Sequence, residues 1–366
     1  MIKYIVRRLK QAIPVLIGIT VIVFVLMHLQ AGNPTDRFAQ NPRVTVEQIE
    51  AFKHRWGLDD PLWLQYFKWL GVWGDKGILN FLPGGTLNIF GLALNLPGGD
   101  NGMLHGDLGF SITDGRTVTT VISERVLPTA ILAGTAYVIW ITIAFLAGIY
   151  AAVKRYGFFD SALTVFNYIF FSMPTFWLGL LLITFFTQGD PLKWFPVGGM
   201  WDTRTVPEFA SGSYWAFAGS HPIDALLDLS RHLALPVLTL VLVSVAGDSR
   251  FIRSSMLDSL NQDYVKTARA KGVSERRVVL HHALRNALLP VVTNVALEIP
   301  IIFGGAIATE TVFSWPGMGR LFIEAVGHAD YPVLMGILLI TSLLVVLANL
   351  LADILYAVVD PRVKYD

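Results

Sequence analysis

Apolar residues dominate six stretches of the chain, at about 11–29, 129–153, 161–187, 232–248, 287–308 and 333–359. Each is close to the roughly 20 residues an α-helix needs to cross the hydrocarbon of a bilayer. The expected fold is therefore all-α, a polytopic membrane protein with six transmembrane helices. Proline falls inside four of these stretches, at Pro14, Pro174, Pro236 and Pro300, where it deletes a backbone hydrogen bond and bends the helix. In lipid the freed carbonyl must be satisfied by a neighbour, so the pattern predicts a packed, mobile bundle.

The loops between the stretches alternate in charge. Lys3, Arg7, Arg8 and Lys10, then Lys154 and Arg155, then Arg250, Arg253, Lys266, Arg269, Lys271, Arg276, Arg277 and Arg285, then Arg362 and Lys364 all fall on one side of a six-span arrangement. Basic flanks are retained in the cytoplasm, which predicts both termini inside. No small-residue cleavage pattern follows the first apolar run, so it is expected to remain as a span.

The opposite side receives residues 31–128, a region around 188–231, and 309–332. The first is long. Its Trp56, Trp63, Trp69 and Trp73, with Pro83, Gly84, Gly85, Pro97, Gly98 and Gly99, predict a small outward region of short elements and turns. Leu62 to Trp73 reads as an amphipathic helix at the headgroup level. The expected division is 1–30 for the N-terminal tail and first span, 31–128 for the outward region, 129–359 for a five-helix core with a cytoplasmic loop at 250–286, and 360–366 for the tail.

Composition narrows the function. Hydrophobic residues make up 54% and charged residues 15% of the chain, against about 25% charged in an average soluble domain. The net charge of +1 suggests no nucleic-acid partner, and the absence of cysteine excludes disulfides and thiolate chemistry. No Gly-x-x-x-x-Gly-Lys-Ser/Thr loop is present to cradle phosphates, so no nucleotide site is expected. His281 and His282 diverge by about 100° on a helix and lack a His-Glu-x-x-His pattern, so no metal is expected. An intramembrane protease would want paired aspartates, a facing Ser and His, or a zinc motif. A stand-alone ion-coupled carrier would want acidic residues in several spans and inverted halves. Neither pattern stands out; no catalytic residue and no cofactor are expected.

The cytoplasmic segment from Asp263 to Glu275 reads as a short helix: Asp263 to cap it, Arg269 and Lys271 at its negative end, Gly272 to stop it in a left-handed conformation, and Ser274 to cap a second helix. Some eight residues cannot hold a helix in water unaided. Ala268, Ala270 and Gly272 suggest a surface small enough for close approach, with Lys266, Arg269 and Lys271 around it, the features of docking into a groove of a partner. Glu298 is the deepest ionisable residue and a candidate for the pore, because a charge in hydrocarbon is kept for function or for a specific partner. Asp248, beside Arg250, and Asp353 are expected to be paired or hydrated at the membrane boundary.

The run Tyr264-Val-Lys-Thr-Ala-Arg-Ala-Lys-Gly272 with His282-Ala-Leu-Arg-Asn-Ala-Leu-Leu-Pro290 resembles the coupling loop of permeases in ATP-binding cassette importers, in its dipeptide and oligopeptide branch. Ile13-Pro14-Val15-Leu16, Gly106-Asp107-Leu108-Gly109-Phe110-Ser111, Phe313-Ser314-Trp315-Pro316-Gly317-Met318-Gly319-Arg320 and Asp360-Pro361-Arg362-Val363 extend the likeness over nearly the whole chain. Departures are Lys266-Thr267-Ala268 where the general importer pattern has glutamate-alanine-alanine, a later leucine-proline close at Leu289-Pro290, Gly32-Asn33-Pro34 where an aspartate is common, and an apparent insertion at about 71–104.

The resemblance implies a type I importer permease fold in a bacterial or archaeal plasma (inner) membrane. It implies a second homologous permease, two ATPase subunits that hydrolyse ATP, and an extracytoplasmic solute-binding protein as partners. It implies short peptides as cargo, with oligosaccharides or chelated nickel as alternatives. Tyr264, Lys266, Thr267, Ala268, Arg269, Ala270, Lys271 and Gly272 would couple to the ATPases, and Trp315, Pro316, Gly317 and Gly319 would form a gate or meet the binding protein.

Overall fold

A computed structural model describes residues 2–29, 60–73, 84–89, 92–97, 103–187, 194–207, 209, 211–304 and 306–359. The helices are α1 (Ile2–Leu29), α2 (Leu62–Leu70), α3 (Val118–Val153), α4 (Phe158–Phe171), α5 (Thr175–Thr187), α6 (Gly212–Ser220), α7 (Pro222–Leu260), α8 (Asp263–Ala270), α9 (Leu284–Gly304), α10 (Ile307–Val312), α11 (Met318–His328) and α12 (Tyr331–Val359). The expectations for Trp56, Pro83, Gly98, Gly99, the Gly32-Asn33-Pro34 run, Arg362, Lys364 and the 360–366 tail lie outside the described residues, as do the side chains of Lys3, Arg8 and Asp353.

Helix dominates, with one departure from an all-α chain. Strands β1 (Gly84–Ile89) and β2 (Leu92–Pro97) pair antiparallel, Gly84 opposite Pro97 and Ile89 opposite Leu92. They fall inside the outward stretch where proline and glycine predict turns.

Among the described residues α3, α7 and the 331–350 part of α12 are each long and apolar enough to cross a membrane, and α4 with α5 makes a fourth such unit if the pair is one span. That pair corrects the expected continuous stretch at 161–187: its axis turns by 101°. The break lies at Ser172–Pro174, where proline cannot donate to the preceding turn and pushes the residue before it out of the helical region. A second correction concerns α7. Its 39 residues run unbroken through Asp248, so the short expected span at 232–248 is the middle of a longer helix.

The chain divides into two compact units, one of residues 1–10, 125–323 and 344–366, the other of 11–124 and 324–343. In the second, α2 stops at Gly71 with φ 85°, short of the expected end at Trp73. Its Tyr66 hydroxyl meets Thr20 Oγ1 at 2.8 Å, and its Tyr66 and Trp69 rings lie 5.4 and 6.0 Å from Phe24 of α1. The Gly106–Ser111 motif is a turn wrapped around a buried carboxylate. Asp107 Oδ1 accepts from Gly109 N at 2.9 Å, Ser111 Oγ bonds Asp330 Oδ2, and the amides of Ile112 and Thr113 donate to Asp330 at 3.1 Å. These bonds satisfy a group that burial would otherwise make unfavourable.

In the first unit, α3 lies so close to α7 that a Cβ on Gly148 would come within 2.8 Å of the Ser249 carbonyl oxygen. The α3–α4 corner is held by Asp160, which accepts from Tyr156 N at 2.9 Å and from Arg253 Nε and Nη2 at 2.5 and 2.8 Å.

Candidate functional site

The short basic helix is present as α8, and its ends are explicit. Gln262, not Asp263, occupies the N-cap, with no side-chain cap bond; Asp263 lies inside the helix and pairs instead with Lys266 at 2.9 Å. The expected Asp263 cap is thus displaced by one residue, because a carboxylate in the first turn gains from the helix dipole and from a lysine three residues on. The C-terminus closes as a Schellman motif: Gly272 N donates to Arg269 O at 2.9 Å and Val273 N to Ala268 O at 3.2 Å, with Gly272 at φ 75°. Arg269 then clamps Glu275 through Nε at 3.1 Å and Nη2 at 2.6 Å, and this guanidinium holds the Glu275 carboxyl below the usual glutamate range.

The small face predicted for this helix is divided. Val265 and Ala268 point into the chain's own core, against Met256, Val278, Val279 and Ala283, while Tyr264, Lys266, Thr267, Arg269, Ala270, Lys271 and Gly272 are exposed. Much of the ordering that a free helix lacks is therefore supplied internally, and the exposed basic face is what remains for a partner. Ser274 holds the next N-cap position without a side-chain bond. Beyond Arg277 the backbone passes through a π-helical turn, Val278–Ala283, before α9. Such turns insert one residue into the hydrogen-bond ladder.

Phe313 to Arg320 is an internal corner. Trp315 is 0% exposed and its Nε1 donates to Pro128 O at 2.9 Å. Glu310, also fully buried, accepts from Thr129 Oγ1 at 2.8 Å and from Arg320 N at 3.0 Å, while Thr129 Oγ1 accepts from Met318 N at 2.7 Å. Burial pushes the Glu310 carboxyl up, and the bonds from Arg320 and Thr129 oppose that. Glycine is required twice: a Cβ on Gly317 would strike the Glu310 carboxylate, and one on Gly319 would come within 2.8 Å of Ile307 Cα. Trp315, Gly317 and Gly319, expected to form a gate or meet the binding protein, are buried within this chain. They brace the turn, and Pro316 is partly exposed.

Glu298 lines a cavity of about 500 Å³ together with Asp248, Trp140, Ser244, Thr175 and Thr309. Its Oε1 accepts from Asn294 Nδ2 at 2.9 Å. Asp248 faces Glu298 and Trp140. The expected pairing of Asp248 with Arg250 does not form, and the Arg250 guanidinium lies 5.1 Å from the centre of the Phe171 ring.

The family model described as binding-protein-dependent transport system inner membrane component matches residues 144–365, and its N-terminal companion matches residues 1–80. The chain belongs to this family. The inner membrane component is 37% identical over 366 residues to the oligopeptide transport system permease protein AppB of Bacillus subtilis, covering 100% of both chains. It is 36% identical to the di/tripeptide permease protein DppB of Pseudomonas aeruginosa and 34% identical to the dipeptide permease protein DppB of Escherichia coli K12, in each case over 100% of this chain and 99% of the relative. A chain of the MetNI methionine ABC transporter in an inward-facing conformation matches with TM-score 0.48 and 16% identity, over 66% of this chain and 97% of that one. The family assignment rests on the sequence matches.

The expected membership in the dipeptide and oligopeptide branch is borne out by these relatives. The two family models leave residues 81–143 unmatched, a range that takes in most of the apparent insertion at about 71–104. Sequence reasoning about this multi-pass protein missed Thr129, Glu310 and Asp330, buried polar residues whose partners are remote in sequence. Glu310 and Asp330 each lie just outside an expected span, at 287–308 and 333–359, and that position was the available signal.

Proposed function

We propose that this inner membrane component is one of two permease subunits in an ATP-binding cassette importer of type I fold, passing short peptides handed over by an extracytoplasmic binding protein. It crosses the plasma membrane six times with both termini in the cytoplasm. The observation that carries the reading is the exposed basic face of α8, on a helix closed at Gly272 and seated on the chain's own core at Val265 and Ala268. Two ATPase subunits grip that face, and hydrolysis there moves α8 and the helices packed behind it between outward-open and inward-open arrangements.

Peptide as cargo is supported by the names of relatives that match end to end. Glu298 faces the path. The Trp315–Gly319 corner holds the extracytoplasmic end of the core rigid. The 1–30, 31–128, 129–359 and 360–366 division stands as the working domain plan.

The test is purification of the native complex followed by uptake in proteoliposomes. The reading requires a sister permease and two ATPase subunits to copurify, and ATP-driven dipeptide uptake that depends on the binding protein. Uptake by this polypeptide alone, or uptake of an oligosaccharide that peptides do not compete with, refutes it.

A further inference from the structure

Three buried side-chain polar atoms among the described residues make no hydrogen bond of standard geometry: Trp140 Nε1 and Glu298 Oε2, whose side chains face the Asp248 carboxyl, and Thr309 Oγ1. All three residues line the same cavity. Buried polar groups are normally paired, so three exceptions around one space call for an explanation.

Thr309 is the most informative. It is 1% exposed. Other helical threonines here turn their hydroxyls onto the carbonyl four residues back, as Thr164, Thr184, Thr239 and Thr311 do at 2.7 to 2.9 Å. Thr309 is the third residue of α10, and its hydroxyl makes no such bond. Its hydroxyl, able to donate and to accept, is left unpartnered at the cavity wall.

The lining holds two carboxyl residues, Asp248 and Glu298, the hydroxyls of Thr175, Ser244 and Thr309, and no Lys, Arg or His. The remaining wall is apolar, including Phe171, Leu240 and Val243. Acidic acceptors in apolar walls with no basic side chain among them disfavour a carboxylate or phosphate. They suit a compact cation that brings its own donors. An alkylammonium carries three N–H donors and a point charge, and aromatic faces such as Trp140 and Phe171 attract it further.

We propose that Asp248, Glu298 and Thr309 form a cation subsite that takes the protonated amino terminus of a peptide in transit. This rests on the peptide-import reading above. Asp248 and Glu298 are specificity-determining residues for that step. The subsite would favour cargo with a free α-amine over cargo of the same shape with that amine blocked.

The experiment uses the whole importer in proteoliposomes with its binding protein saturated by each cargo. Initial uptake is measured for alanyl-alanine, N-acetyl-alanyl-alanine and Nα-acetyl-lysyl-alanine, in the wild type and in Asp248→Asn/Glu298→Gln. A charge-assisted bond lost at the subsite should lower alanyl-alanine uptake about tenfold or more and bring its ratio to the acetylated peptide close to one.

An equal fall for all three cargoes, or an unchanged ratio, overturns the subsite while leaving peptide import intact. Carboxylate dependence that follows the lysine side-chain amine but not the α-amine overturns the assignment to the amino terminus. A wild-type complex that moves no peptide refutes the import reading and this one with it. If the double variant does not assemble, Thr309→Val decides: the same ratio should narrow by ~3-fold, as expected for one neutral hydrogen bond, and no change overturns the proposal.

Discussion

Replacing Gly272 isolates one step of the proposed coupling. The residue sits at φ 75° and a Cβ there would meet nothing within 4 Å, so any substitution acts through the backbone alone. A non-glycine residue in the left-handed helical region costs roughly 1–2 kcal/mol, and asparagine is among the few that visit it. Such a cost shifts the balance between a closed and a frayed helix stop by a factor of about 5–30. Both Schellman bonds, to Arg269 O and Ala268 O, would loosen. Because α8 would have to be re-ordered on docking, the same cost would be subtracted from its binding to the ATPase. Gly272→Val should therefore weaken association of detergent-solubilised permease with ATPase subunits about 5–30-fold, and lower peptide moved per ATP hydrolysed, with Gly272→Asn much milder. Equal behaviour of valine and asparagine, or wild-type coupling in both, would refute the reasoning.

Other perturbations address the scaffold. Gly319→Ala forces a methyl against the Ile307 backbone at 2.8 Å and should destabilise the corner by about 1–3 kcal/mol, read as a lowered Tm of the purified complex. Asp330→Ala strands the Ser111 hydroxyl and the Ile112 and Thr113 amides and should cost about 1–3 kcal/mol; faster tryptic cleavage at Arg116 would report it. The Arg269–Glu275 pair is about half exposed, with side-chain exposures of 45% and 59%, so Glu275→Gln should have only a small effect, about 0–1 kcal/mol. Since Arg269 holds the Glu275 carboxyl below its ordinary range, the pair's contribution is present at neutral pH and is lost as pH falls below about 4. Hydrogen exchange at Gly272 and Val273 should show the variant and the wild type converging in acid.

The helical core was legible because bilayer-length apolar runs and their basic flanks are set by local composition, and Gly272 because its stop depends on adjacent residues only. Pro174 marked a bend, but the 101° turn depends on what α4 and α5 pack against. Asp248 looked like the end of a span because a charge normally ends one. The helix instead continues, since Glu298, Trp140 and the cavity accommodate the carboxyl from another helix. Trp315 came from the sequence only as a residue of a gate or a binding-protein contact, with nothing local to mark it as buried. Its burial follows from Pro128, 187 residues away in sequence. Local pattern located the elements, and the polar residues that lock them needed partners no local window contains.

The chain has no cysteine, so a single one placed at Lys271, on the exposed face of α8, is a clean reporter. In native membranes Lys271→Cys should react with an impermeant maleimide only from the cytoplasmic side, and should crosslink to an ATPase subunit in a manner that changes with nucleotide. Labelling from outside the cell, or no crosslink to a nucleotide-hydrolysing partner in an assembled complex, would contradict the account.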